Sequence, residues 1–320
     1  MRKVLLFLDP GIDDSLALMY TLMHPEYEVV GIVAGYGNVP KQQAVENAAY
    51  LLDLAGIKDI PIIAGAIGPL SGELVPYYPL IHGEEGLGPI KPPPYVYADQ
   101  EVFDIDKARE LIEQHGNELS IVNLGRLTDL AMLYILYGPE FVNQVKAIYL
   151  MGGAFLVPGN VTPVAEANFF ADPIAADLVL EKGESITIFP LNVTNKAILT
   201  PEVVEYLTQI NKSPYAFLFE PIFDFYFAAY QKLIPGIKGA PIHDLLVVSA
   251  LINPEIVKTL KRRARVDQMG EFTKGESIAD FRPKPKEEPA KKLDTIAMEI
   301  DYPAFIEDVV HIFSQSKVEE

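Results

Sequence analysis

Asp9, Asp13 and Asp14 fall within a single short run, Asp9-Pro10-Gly11-Ile12-Asp13-Asp14. Carboxylates at this spacing can hold a hard cation or cap a helix. Crowded into one turn, they repel one another severely unless positive charge sits among them. A helix N-terminus supplies only about 0.3–1 kcal/mol per carboxylate, too little for three. A bound metal ion is the simplest neutraliser, and hard carboxylate oxygens favour calcium or magnesium. Capping would account for one of these acids. All three together, with Gly11 allowing a sharp bend, point to the ion.

Further groups able to do chemistry lie far away in sequence. His243-Asp244 follows Gly239-Ala240-Pro241-Ile242 and opens an apolar helix, Leu245-Leu246-Val247-Val248. Asp244 is either a helix cap or a distant fourth carboxylate for the N-terminal cluster, with His243 beside it as a proton donor. His82 sits in a glycine-rich loop, Ile81-His82-Gly83-Glu84-Glu85-Gly86-Leu87-Gly88, where it either packs or faces a substrate. Met151-Gly152-Gly153-Ala154-Phe155 precedes Asn160, Glu166 and Asn168. Those two amides and one carboxylate suit vicinal hydroxyls, or else satisfy the loop's own backbone. His24, His115 and His311 read as structural or surface residues. The glycines of Gly35-Tyr36-Gly37-Asn38 form no dinucleotide fingerprint, and neither a phosphate-cradling loop nor a Ser/His/Asp elbow is evident.

Strands and helices must alternate to bring these segments together. The apolar run 3–8 and residues 28–34 read as buried strands around a first helix beginning at Ser15. A helical pattern over 39–55 ends before Gly56, a C-terminal capping glycine. Strands are expected at Ile60–Ala64, Leu119–Leu124, Val145–Leu150 and Ser185–Phe189, with helices near 105–115, 128–137, 173–182, 201–211, 214–232 and 243–252. Asp172-Pro173 marks a helix start. This alternation predicts an α/β fold with an open, mostly parallel sheet flanked by helices. Ligands gather beyond the carboxyl ends of such strands, where Asp9, the turn after Gly35, Leu124 and the stretch after Leu150 all fall. Residues 66–98 and 283–292 read as irregular, the first able to line a pocket and the second solvated. No linker is evident, so residues 1–320 read as one domain.

Composition narrows the partners. Forty-four acidic residues against 26 basic ones give a net charge of −18, which argues against nucleic acid. Lys261-Arg262-Arg263 is the one compact basic cluster and reads as a solvated face. Without cysteine, disulfides and thiolate metal sites are excluded. The first apolar stretch breaks at Asp9, too early for a signal peptide, and no run approaches a membrane span of ~20 apolar residues. A soluble, cytoplasmic protein is expected.

In their joint order, these motifs resemble the inosine–uridine preferring nucleoside hydrolase family. The matching pieces are DPGIDD, Gly37-Asn38, His82-Gly83 with Gly86-Leu87-Gly88, Leu124-Gly125-Arg126-Leu127-Thr128, and Met151 to Phe155. The Asn160/Glu166/Asn168 set, Asp172-Pro173-Ile174-Ala175-Ala176, His243-Asp244 and the late hairpin around Gly270 to Gly275 complete them. The resemblance implies a Rossmann-like architecture and a calcium enzyme that hydrolyses ribonucleosides to ribose and free base. By position it implies Asp9, Asp14 and Asp244 as carboxylate ligands of Ca²⁺ and Leu124 as a carbonyl ligand. Ribose hydroxyls and water would complete about eight oxygens. It further implies Asp9 as acceptor of a proton from the attacking water. Asp13, Asn160, Glu166, Asn168 and Asp244 would hold ribose, bordered by Asn38 and Met151. His243 would serve as acid toward the base, with His82 and the aromatic residues Phe225, Tyr226 and Tyr230 around it. A homodimer or homotetramer is implied as well.

Several positions depart from the family pattern. Phe7 replaces an aspartate, Ala167 an aromatic residue, and Asn192 an aspartate, while Gly125-Arg126-Leu127-Thr128-Asp129 stands for Gly-Pro-Leu-Thr-Asn. The chain also lacks tryptophan, so a purine sandwich between tryptophans does not apply. Base preference stays open between inosine and uridine. Two rival readings are a Mg²⁺ phosphohydrolase using Asp9 at a strand end, and a ribose- or nucleoside-binding protein without turnover.

Overall fold

The computed structural model describes residues 1–74, 76–93, 101–283 and 292–315. Strand β1 (Arg2–Leu8) is apolar from Val4 onward and buried on both faces, as a central strand must be. It leads into the helix Ile12–Met23 and back to β2 (Tyr27–Ala34), which lies parallel to it. In chain order β3 (Ile62–Ala64), β4 (Val102–Phe103), β5 (Leu119–Asn123), β6 (Ala147–Met151) and β7 (Ile186–Phe189) follow, with helices in the crossovers. Two short strands, β8 (Ile198–Leu199) and β9 (Ala240–Pro241), pair with each other, and β10 (Val257–Arg262) precedes the hairpin β11 (Arg265–Val266) and β12 (Ser277–Ile278). The last strand is β13 (Asp294–Ile300).

Nine strands form one sheet in the order β10-β13-β7-β6-β5-β1-β2-β3-β4. Every neighbouring pair is parallel except β10 with β13, so the sheet is mixed and mostly parallel. Alternate residues of β1 serve two apolar layers. Val4, Leu6 and Leu8 pack with helices Ile12–Met23, Lys41–Leu54, His243–Ile252 and Tyr302–Phe313. Leu5 and Phe7 pack with helices Ile105–His115, Thr128–Tyr137 and Pro173–Lys182 on the opposite face. Phe7, one of the departures, therefore belongs to the core beside Val33 and Ile121.

The strands and helices expected from the sequence form, and Asp172 caps the helix Pro173–Lys182 by accepting from Ala175 N–H at 3.0 Å. The strands β10 and β13 carried no expectation, because polar residues break up both runs. The basic cluster Lys261-Arg262-Arg263 begins in β10, where charge on an edge strand discourages pairing with other chains. Residues 75, 94–98 and 284–291 of the two irregular stretches lie outside the described residues. Among those described, no helix is long and apolar enough to cross a membrane.

The late hairpin braces the loop after β6. Ser277 Oγ accepts from Ala154 N–H at 2.6 Å, and Asn192 accepts from Phe155 N–H at 3.0 Å while donating to Phe155 C=O at 2.5 Å. An amide can do both, whereas a carboxylate at 192 could only accept. The hairpin is itself tied to the helix Pro173–Lys182 by buried Asp177, which accepts from Arg265 Nε and Nη2, Val266 N–H and Gln268 Nε2 at 2.5–3.0 Å. These donors outweigh burial and hold the Asp177 carboxyl below its ordinary pKa. Its stabilisation is thus present above the unfolded-state pKa of ~3.9 and lost as pH falls through the lower folded value. Replacing Asp177 with Ala is expected to cost about 2 kcal/mol in urea denaturation at pH 7, with the difference from wild type shrinking toward pH 3.

Candidate active site

The carboxyl ends of β1, β2, β5 and β6 open on a cleft of about 640 Å³, within the range of small-molecule sites. Asp13, Asn38, His82, Leu124, Met151, Asn160, Glu166, Asn168, Tyr226, Tyr230, His243 and Asp244 all line it. Asp9 and Asp14 lie buried beside them. Residues spread over most of the chain are thus brought to one place.

Asp9 sits where β1 gives way to the turn. Its Oδ2 accepts from Asn38 N–H at 2.9 Å and pairs with Arg126 Nη1 at 2.9 Å, while its Oδ1 has no hydrogen-bond partner. Asp14, in the first turn of the helix Ile12–Met23, accepts from the N–H groups of Asp9 (3.2 Å) and Gly11 (3.3 Å) and from Asn38 Nδ2 (2.9 Å). The helix-cap role and the cluster are therefore not alternatives, since Asp14 does the first while belonging to the second. Ligand atoms of Asp13, Asp14 and Asp244 lie within 4.8 Å of one another. Burial and the neighbouring carboxylates push the pKa values of Asp9 and Asp244 well up, and burial with Asp14 raises Asp13 to about 7.

Among the described residues, Arg126, whose side chain is 3% exposed, is the one cation paired with this group of four buried aspartates. The remaining negative charge, together with the orphaned Asp9 Oδ1 and Asp13 Oδ1, is what a divalent ion would satisfy. The donor set is all oxygen, which fits a hard cation. Leu124 C=O reaches the same region but accepts from Asn168 Nδ2 at 2.6 Å.

The loop that carries Asn160 and Glu166 satisfies its own backbone as well as lining the cleft. Glu166 caps the helix Ala167–Ala171 by accepting from Asn168 N–H (2.8 Å) and Phe169 N–H (3.2 Å), and it also accepts from Gly153 N–H (2.9 Å). Asn160 Oδ1 accepts from Ala167 N–H at 3.0 Å. Asn168 Oδ1 accepts from Arg126 Nη1 at 2.7 Å. The polar half of the cleft is therefore held in place before any ligand enters.

The other half is aromatic and apolar. Helix Ala216–Leu233 presents Tyr226, Tyr230 and Leu233 one turn apart, with Ile234 and Ile237 at the rim. Tyr230 Oη and His243 Nε2 are hydrogen-bonded at 3.0 Å, and His243 Nδ1 meets Thr194 Oγ1 at 2.9 Å. Burial pushes the His243 pKa down to about 4, leaving the imidazole neutral at pH 7. His82 Nδ1 accepts from Ile12 N–H at 3.1 Å, so the neutral ring carries its proton on Nε2. Burial, with the charge of Arg126, takes its pKa to about 3. The His82 loop closes tightly: Gly83 has φ +86°, and a side chain there would run into the Gly88 carbonyl.

Phe225, expected beside the base, instead packs against Gly88. It precedes Tyr226 by one residue and so points about 100° away around the helix. Tyr78 and the cation role of Arg126 had no motif to mark them. Tyr78 covers the Arg126 guanidinium at 5.7 Å. The sequence departure at 126 was the available signal, because an arginine beside an acid cluster is a ready-made counter-charge.

Residues 4–307 match the family described as inosine-uridine preferring nucleoside hydrolase. The chain is 35% identical over 269 residues to uridine nucleosidase 1 of Arabidopsis thaliana, covering 84% of this chain and 79% of the relative. It is 32% identical over 280 residues to the pyrimidine-specific ribonucleoside hydrolase RihA of Photobacterium profundum, covering 87% and 89%. In three dimensions it resembles a purine-preferring ribonucleoside hydrolase from Gardnerella vaginalis, with a TM-score of 0.89, 30% identity and 98% of each chain covered.

The carboxylate of Asp9 fills the space over the Cα of Gly37, where any Cβ would collide with Oδ2. Gly37→Ala must therefore displace either the turn or Asp9. It is expected to lower stability by about 1–3 kcal/mol in urea denaturation; an unchanged transition midpoint would show that Asp9 is not held there.

Proposed function

The chain belongs to the inosine–uridine preferring nucleoside hydrolase family, and on that premise we propose that it cleaves the N-glycosidic bond of ribonucleosides with calcium as its cofactor. The carrying observation is the cleft itself. Buried aspartates and fixed amides on one side suit a ribose and a cation, and tyrosines, histidines and aliphatic residues on the other suit a base.

In this reading Asp9, Asp14 and Asp244 hold calcium with the Leu124 carbonyl. Calcium bound there keeps the carboxylates ionised and raises the acidity of nearby water. Asp13, Asn160, Glu166, Asn168 and Asp244 grip the ribose hydroxyls, with Asn38 and Met151 at the border. Arg126 and Asn38 anchor one oxygen of Asp9 and leave the other without a partner. Asp9 takes a proton from water as the water oxygen bonds to the anomeric carbon. The glycosidic bond breaks with its electron pair going to the base. The surrounding carboxylates stabilise the oxocarbenium-like transition state electrostatically.

The departing base needs a proton or hydrogen bonds. A neutral His243 is a poor direct acid and burial pushes the Tyr230 hydroxyl above its ordinary pKa, so the Tyr230–His243 pair, joined at 3.0 Å, serves the departing base by hydrogen bonding, and the base takes its proton from water as it is released. His82 offers its Nε2–H from the other side, beside Tyr226. Net, one water is added and ribose and free base are released.

The arginine on Asp9 favours one second reading, a nucleoside-binding protein without turnover, because a base already paired to a guanidinium accepts protons less readily. Tight ribonucleoside binding by calorimetry with no hydrolysis over hours would select it.

Release of reducing sugar from inosine and from uridine, with calcium present, is expected. No cleavage of either, nor of a wider ribonucleoside panel, overturns the proposal. Asp9→Ala is expected to lose at least ~10²-fold in turnover, as for removal of a proton acceptor; near-normal turnover would refute its role. His243→Ala and Tyr230→Phe should slow substrates whose bases leave poorly more than an activated substrate such as p-nitrophenyl riboside. Unchanged rates on all substrates would count against this role of the pair.

A further inference from the structure

We propose that Arg126 and the divalent ion are alternative counter-charges for Asp9, so that Arg126 keeps the acid cluster assembled without metal and weakens metal binding. The inference rests on the reading of that cluster as a calcium site.

Four features of Arg126 lead to it. Its side chain is buried, yet Nε and Nη2 have no hydrogen-bond partner, so it is not held by a complete network. Its Nη1 meets three oxygens: Asp9 Oδ2 at 2.9 Å, Asn168 Oδ1 at 2.7 Å and Asn38 Oδ1 at 3.5 Å. The contact to Asp9 uses one nitrogen, whereas a structural arginine–carboxylate pair favours a two-pronged fork. The Tyr78 ring covers the guanidinium and limits screening by water.

A buried charge placed this way has two consequences. Without metal, it offsets part of the repulsion among Asp9, Asp13, Asp14 and Asp244, which would otherwise force protonation or separation. With metal, any cation drawn to Asp9 meets a fixed positive charge across the same carboxylate. Two cations sharing one acid cluster compete, and a positive charge that cannot leave lowers the affinity of one that can. Arg126 thus positions Asp9 and sets its availability, and it need not touch substrate to do so.

Calcium binding to chelator-treated protein can be followed by calorimetry for wild type, Arg126→Gln, Arg126→Met and Arg126→Lys. The neutral variants are expected to bind calcium at least ~10-fold more tightly, equivalent to about 1.4 kcal/mol, while Arg126→Lys, which keeps the charge, stays near wild type. Thermal melting should show the neutral variants less stable than wild type without metal and more strongly stabilised by calcium. A merely structural arginine would lower stability in both conditions without tightening calcium. Equal or weaker calcium binding by the neutral variants overturns the inference, as does Arg126→Lys behaving like Arg126→Gln. Should a neutral variant be unfolded without metal, calcium must restore it, and a variant unfolded under both conditions also overturns the proposal. Absence of calcium binding in all four proteins refutes the calcium reading itself, an outcome distinct from equal binding in all four.

Discussion

Burying carboxylates next to one another is the constraint around which this molecule is arranged. Asp9, Asp13, Asp14 and Asp244 occupy the end of the apolar strand β1 and the starts of two helices, removed from water. An isolated buried charge costs several kcal/mol even after relaxation. The surroundings answer that cost locally: backbone N–H groups of Asp9, Gly11 and Asn38 point at the cluster, and Arg126 pairs with Asp9. Glycine at 37 and 125 leaves room for the Asp9 carboxylate. These donors do not close the balance, since oxygens of Asp9 and Asp13 stay unpartnered. A site with leftover negative charge and leftover oxygens is prepared for a hard cation.

The fold divides the labour above that floor. Parallel strands deliver the acids and amides from their carboxyl ends, a rigid edge on which small displacements are resisted by the packed layers on both faces. The long helix Ala216–Leu233 supplies the tyrosines from the opposite side. Both cleft histidines are kept neutral by burial, so they act as oriented hydrogen-bonding groups and not as fixed charges. That arrangement avoids placing imidazolium beside a cation site. The aliphatic rim of Leu233, Ile234 and Ile237 leaves the base side less prescribed than the polar side.

Much of this was legible in the chain because the period of the apolar residues sets the sheet, and the sheet sets where strand ends meet. The run Val4 to Leu8 and the motif after it put the acid cluster at the end of a buried strand. The amide loop shows a limit of composition: Asn160 and Glu166 accept from their own loop's backbone and still line the cleft, so satisfying the backbone does not exclude a place beside a ligand. Arg126 illustrates another limit. An arginine after a strand has the same sequence signature whether it turns outward to solvent or inward onto Asp9, and only the burial distinguishes them. The strands β10 and β13 escaped for a related reason, since their partners, not their own periodicity, make them strands. Phe225 was misplaced by one helical step, enough to take it out of the cleft.

The proposed chemistry depends on the acid cluster being a calcium and ribose site. A crystal structure of the protein grown with calcium and a ribose-like inhibitor carrying a base analogue tests that directly. It should show one spherical density contacted by Asp9, Asp14 and Asp244 and by the inhibitor's hydroxyls, with the base analogue between His82 and Tyr230. Inhibitor bound with no ion among these carboxylates, or an ion elsewhere with the cluster unaltered, would contradict it.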